Sequence, residues 1–104
     1  MALEVQTHPE ARAELDEAAA WMSRDSNWAP IRLLSEYDDF IARIKKHPDS
    51  FRFVYRQYRR LDLDDHNYAI IYRLRDNGIF VIAFMHQKRH PDYWKHRIRD
   101  DSAE

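Results

Sequence analysis

The 104-residue chain has no cysteine and a single glycine. Without thiols there is no disulfide, iron–sulfur cluster, thiolate zinc site or cysteine nucleophile. One glycine cannot build a glycine-rich phosphate loop, so nucleotide hydrolysis by that route is excluded. The serines (Ser23, Ser26, Ser35, Ser50 and Ser102) sit in no nucleophile elbow, which removes the serine-triad reading. No apolar run reaches the roughly 18 residues of a membrane span. No charged-then-apolar leader opens the chain, so a cytoplasmic protein without membrane contact is expected. The net charge is −1, which argues against a surface that is cationic all over.

What is present is ample for one compact domain spanning residues 1–104. The 44% hydrophobic and 34% charged fractions suit a globular fold rather than a disordered chain. A core this thin depends on each large residue, and 3 Trp, 6 Tyr and 5 Phe supply much of its apolar area. Charge is unevenly spread, −4 over residues 1–50 and +3 over residues 51–104. Residues 51–60 (FRFVYRQYRR) carry Arg52, Arg56, Arg59 and Arg60 without an acid. Residues 86–99 carry Lys88, Arg89, Lys95, Arg97 and Arg99 against Asp92, with three histidines. Cations interleaved with rings suit phosphates and unpaired bases, yet also fit a solvated arginine face or a dock for an acidic protein.

Hydrophobic periodicity gives the elements. Leu3 and Val5 alternate in a first strand over residues 2–6. Pro9 and Glu10 mark a helix start, and Ala11, Leu15, Ala18 and Met22 recur at helical spacing to about residue 24. Ser26 or Asn27 caps a second helix with Pro30 in its first turn, and Ile31, Leu34, Tyr37, Ile41 and Ile44 line its buried side up to Pro48. The pair is expected to form a helical hairpin, with Trp21, Trp28 and Tyr37 inside it. Beyond Pro48 the pattern is strand: Phe51, Phe53 and Tyr55 form an aromatic face backed mostly by arginine. Residues 68–74 and 79–85 flank Asp76-Asn77-Gly78, a hairpin signal in which positive φ is expected at the turn. The expected class is α+β: an N-terminal strand, a two-helix hairpin, an antiparallel sheet of three further strands and a short C-terminal helical turn.

Chemistry is sparse. His86, His90 and His96 straddle Pro91 with no carboxylate at ligand spacing, so no metal or other cofactor is expected. Asp62, Asp64 and Asp65 read as a solvated turn. Cleavage of RNA by its own 2′-hydroxyl stays open, since that needs only a base, an acid and cations near the phosphate. Arg59, Arg60, His86, Arg89 and Tyr93 are the groups on hand for it.

Several motifs resemble the RelE/ParE toxins of bacterial type II toxin–antitoxin systems, often labelled plasmid stabilisation proteins. They are Pro9-Glu10-Ala11 with Leu15, Ala18 and Trp21; the Pro48 break; Arg59-Arg60; residues 68–73 (YAIIYR); and residues 86–94 (HQKRHPDYW). The resemblance runs from Val5 to about Arg97 and implies the same strand, helix-pair and sheet order. It also implies an antitoxin that wraps the toxin. RelE-like relatives cut messenger RNA on the ribosome; mapped here, the catalytic groups would be Arg60, His86, Arg89 and Tyr93. ParE-like relatives poison DNA gyrase and are not nucleases. The slightly acidic chain, the short Arg89–Tyr93 spacing and the acidic 62–65 turn lean toward the ParE type. A non-toxic, partner-binding remnant is the third reading. Residues expected at a partner or target are Arg52, Arg56, Arg59, Arg60, Lys88, Arg89 and Trp94, the last being as well suited to pinning the tail.

Overall fold

The computed structural model describes residues 3–63 and 67–101. Strand β1 (Glu4–Thr7) leads to helices α1 (Pro9–Met22) and α2 (Ala29–Lys46), then strands β2 (Arg52–Tyr55), β3 (Tyr58–Asp62), β4 (Tyr68–Arg75) and β5 (Gly78–His86). A 3-10 turn (Lys95–Arg97) and the single helical turn α3 (Ile98–Asp101) end the described chain. The sheet order is β1-β5-β4-β3-β2. The α+β class is as expected, with two corrections. The sheet is mixed, because β1 runs parallel to β5. It also gains four strands after the helices, because residues 51–60 fold back on themselves.

That fold-back occurs at Arg56, the one non-glycine residue with positive φ among those described (50°). Tyr55 faces Tyr58 across the turn, and a bulge between Phe53 and Tyr55 breaks the alternation. Phe51 therefore packs toward the helices against Tyr72, while Tyr55 lies on the other face against Trp94. In the β4–β5 hairpin the turn is Asp76-Asn77, with Arg75 paired to Gly78. Positive φ is absent there. Gly78 is required for a different reason: a Cβ at this position would collide with the backbone carbonyl of Glu4, where β1 closes against β5.

Helix α1 starts where His8 Nδ1 accepts the N–H of Glu10 at 3.1 Å and Pro9 takes the first helical position. Its buried stripe is Ala11, Leu15 and Ala18. Helix α2 is not capped by a side chain, although Ser26 Oγ accepts the N–H of Trp28 just before it. Arg43, Lys45 and Lys46 in its last turn complement the negative end of the helix dipole. Its buried stripe is Leu33, Tyr37, Phe40 and Ile44. Of the expected stripe only Tyr37 and Ile44 are buried; Ile41 is partly so, and Ile31 and Leu34 are exposed. Both stripes have helical spacing, and the larger rings and Leu33 win the side facing α1 and the sheet. Trp21 and Trp28, expected inside the hairpin, are 63% and 71% exposed.

The sheet is covered on both faces. Toward the helices, Leu61, Ile70, Tyr72, Ile79, Val81 and Phe84 meet the two helix stripes. On the opposite face, Tyr58, Ile71, Phe80, Ile82, Ala83 and Met85 pack under the tail with Trp94. A bulge between Ile71 and Tyr72 places both Ile82 and Ala83 on this second face. The expected C-terminal helical turn is thus the lid of a second small core.

Candidate partner-binding surfaces

The arginines of residues 51–60 do not share one face. Arg52 and Arg60 are register partners on the tail side, with the Asp62 carboxylate between them: 2.8 Å to Arg60 Nε and 3.9 Å to Arg52 Nη2. Arg59 lies on the helix side, donating to the carbonyls of Phe51 (2.8 Å) and Asp49 (3.1 Å), its guanidinium 3.9 Å from the Phe53 ring centroid. Arg56 stacks over Tyr55 at the turn. Alternation along the strand and the hairpin itself split the set. On the tail side, Arg52, Arg60 and Lys95 border a groove of about 390 Å³ floored by Ile71, Met85 and Trp94. Trp94, expected at a partner surface, is 1% exposed and packs against Tyr55 and Tyr58. It pins the tail.

A second assembly centres on Glu14. Strand β1 covers β5 only from Gly78 to Val81, which leaves a stretch of sheet edge open. Side chains complete it: Glu14 Oε1 accepts the N–H of Phe84 at 3.1 Å, and Arg97 Nη1 donates to the carbonyl of Ile82 at 3.0 Å. Arg97, 4% exposed, also binds both Glu14 oxygens, at 2.8 and 3.1 Å. Burial disfavours its charge, but the Glu14 bonds outweigh this and raise its pKa. Tyr93 Oη donates to Glu14 Oε2 at 2.5 Å, and Arg89 approaches the same oxygen at 3.5 Å while lying over the Tyr93 ring. Burial, then the Glu14 carboxylate, push the Tyr93 phenol well above its ordinary value. A phenol held this way donates a hydrogen bond and is a poor base.

Of the four groups mapped as catalytic, His86 and Arg89 line one cleft beside α1, Tyr93 adjoins it through Arg89 and Glu14, and Arg60 stands apart on the other face. Arg60 stands on the tail side, opposite Ile71, in an ion pair with Asp62. His86 lies on the helix side, its ring edge against Tyr68 and its Nδ1 accepting the N–H of Lys88. Arg89 and Tyr93 are drawn onto Glu14. Lys88 is exposed. Asp62 closes β3, while Asp64 and Asp65 lie outside the described residues.

Sequence reasoning missed the groups that fasten the tail. Asp101, 2% exposed, accepts Tyr58 Oη at 2.5 Å and bonds from Arg73 and Arg75. Burial alone would raise its pKa; the bonds from Arg73, Tyr58 and Arg75 overcome this and hold the carboxyl below its usual range. Asp100 pairs with buried His8, whose Nε2 lies 2.8 Å from Oδ2. Glu14 carried a usable signal: with Ala11, Leu15 and Ala18 it completes an i, i+3, i+4, i+7 stripe, and a carboxylate on a buried stripe must find partners. Asp101 and Arg97 had none, their partners being far away in the chain.

His86, His90 and His96 each have separate partners. His90 Nδ1 accepts the N–H of Asp92, and His96 faces Glu10 at 3.5 Å. His8, Glu10 and Asp100 do bring ligand-type atoms within 4.8 Å of one another. There, however, His8 Nδ1 accepts the Glu10 N–H and Nε2 lies 2.8 Å from Asp100 Oδ2, so both ring nitrogens already have partners.

The molecule is thus a two-layer α+β protein with a mixed five-stranded sheet, and no described helix is long and apolar enough to cross a membrane. Residues 5–91 match the family described as the ParE toxin of type II toxin–antitoxin systems, parDE. The chain belongs to this family: it is a toxin of the type II toxin–antitoxin class, whose partner is an antitoxin. No curated protein matches the chain.

Proposed function

We propose that this toxin acts on DNA gyrase, in the manner of the ParE type, and is silenced by a protein antitoxin. The observation that carries the gyrase reading is that Arg60 stands across the sheet from the other nuclease groups, while Arg89 and Tyr93 are taken up by Glu14. Metal-free RNA cleavage needs a base, an acid and a cation converging on one phosphate. Here Arg60 and His86 stand on opposite sides of the sheet, and Tyr93 and Arg89 are engaged by Glu14. A poison that traps another enzyme's intermediate needs binding surface rather than that constellation. For the antitoxin, the groove bordered by Arg52, Arg60 and Lys95 over Ile71 and Met85 suits an acidic segment with apolar anchors.

The test pairs two purified systems. With gyrase and plasmid, the toxin should accumulate cleaved DNA and stop supercoiling. In a ribosome-dependent translation mixture, message should stay intact, and Arg89→Ala and Tyr93→Phe should change nothing. Cut message with normal supercoiling would replace this reading with the ribosome-dependent endoribonuclease. Unimpaired growth on induction would favour the partner-binding remnant. Co-expression with a small flanking gene product should yield a stable complex, weakened by salt because rim charges contribute.

A further inference from the structure

On the helix side, α1 and the open end of the β4–β5 pair enclose a cleft of about 230 Å³ that the proposed function does not use. Its floor is Ala18 and Phe84. One wall is Tyr68, stacked on Phe84 with ring centroids 4.7 Å apart at 10°, with His86, which also lines the cleft, edge-on to it at 5.1 Å. The other is Trp21, 63% exposed despite its size. The charges at the rim differ in how they are spent. Glu14 already serves Phe84, Tyr93 and Arg97, and Arg89 is held by Glu14 and Tyr93. Glu17 is exposed and has no ion pair among the described residues.

Aromatic faces beside an uncommitted carboxylate attract a cation, and a guanidinium most of all, because it stacks flat on rings and forks onto a carboxylate. The molecule shows the first half of that chemistry nearby: Arg24 lies 4.6 Å from the Trp21 ring centroid. We infer that the Trp21–Tyr68 cleft is a socket for one arginine side chain of the antitoxin, stacked between the rings and paired with Glu17. The choice of occupant rests on the antitoxin reading above; the socket itself does not. Glu17 favours a cation here, and Arg52 and Arg60 favour an acid at the other groove. A segment gripping both sides of the sheet would thus carry opposite charges at its two contacts.

The test has two arms. First, N-acetyl-arginine amide is titrated into the isolated toxin while the indole N–H of Trp21 and the ring protons of Tyr68 are followed by NMR. Both should shift saturably, with binding weakened about fivefold or more by Glu17→Gln and by Trp21→Leu. N-acetyl-norleucine amide and N-acetyl-glutamate amide should not compete. Both substitutions are at exposed positions, and an unchanged amide spectrum elsewhere verifies the fold. No shift, or an equal response to norleucine, overturns the socket. Second, in the toxin–antitoxin complex, Glu17→Arg should weaken binding about tenfold or more, and replacing one antitoxin arginine by glutamate should restore it. Unchanged affinity overturns the assignment of the antitoxin as occupant. Neither arm depends on gyrase, so failure of the gyrase reading and failure of the socket are separable.

Discussion

The two faces of the sheet are covered by different physics. Toward the helices the cover is mainly apolar: Ala11, Leu15, Leu33, Phe40 and Ile44 meet Ile70, Tyr72 and Phe84. Toward the tail the cover is a short segment anchored by one indole, Trp94, and by charged groups, Arg97 and Asp101, that are more completely buried than many apolar ones. A single helical turn cannot remove enough apolar area from water to hold itself down. It relies on hydrogen bonds whose partners are fixed in direction. The helix layer should therefore tolerate changes of shape, and the tail should not tolerate changes of charge.

The largest way to break this contrast is Trp94→Ala, which empties the second core and should cost about 3–5 kcal/mol in urea unfolding. A loss below about 1 kcal/mol would mean that the tail's indole is dispensable. Next is Asp101→Asn, nearly the same shape without the charge. It strands two guanidinium groups and should cost roughly 3 kcal/mol, with the tail amides losing hydrogen-exchange protection first. Acid should act on the same groups. The folded pKa values of Asp101 and Asp100 are lowered, so their contribution is present above the unfolded value of about 4. It is lost as pH falls through the lower folded values. Near-ultraviolet circular dichroism of the tail indole should therefore weaken below about pH 4 while the helix signal persists; a parallel decline of both would show that the tail is not separately held. On the other face, Leu33→Met should cost less than about 1.5 kcal/mol. Smallest of all, Trp28→Ser should move stability by no more than about 0.5 kcal/mol, since the side chain is 71% exposed.

Legibility in the sequence follows the same division. Periodicity located both helices, the β4–β5 hairpin and the buried Ala11–Leu15–Ala18 stripe, because each is written within a dozen residues. It misplaced the α2 stripe because residues 31, 34, 37, 41 and 44 and residues 33, 37, 40 and 44 are both helical, and only the position of α1 chooses between them. It read residues 51–60 as one strand because nothing in Arg56-Gln57 announces a turn; the left-handed position is held by an arginine. The parallel place of β1 is legible only through Gly78, whose role is close approach rather than turning. For the candidate sites, the sequence supplies the cations but not their sides of the sheet or their partners. Glu14 lies 83 positions from Arg97, and Asp101 lies 43 from Tyr58. Pairings of that range leave no local trace.

Those long separations carry a consequence for synthesis. Strand β1 has its neighbour in β5, and the edge beyond it is sealed by Arg97, so a nascent chain has no finished sheet until Arg97 has left the ribosome. Translation halted upstream of Arg97 would release an open-edged intermediate, fit for proteases rather than for its target.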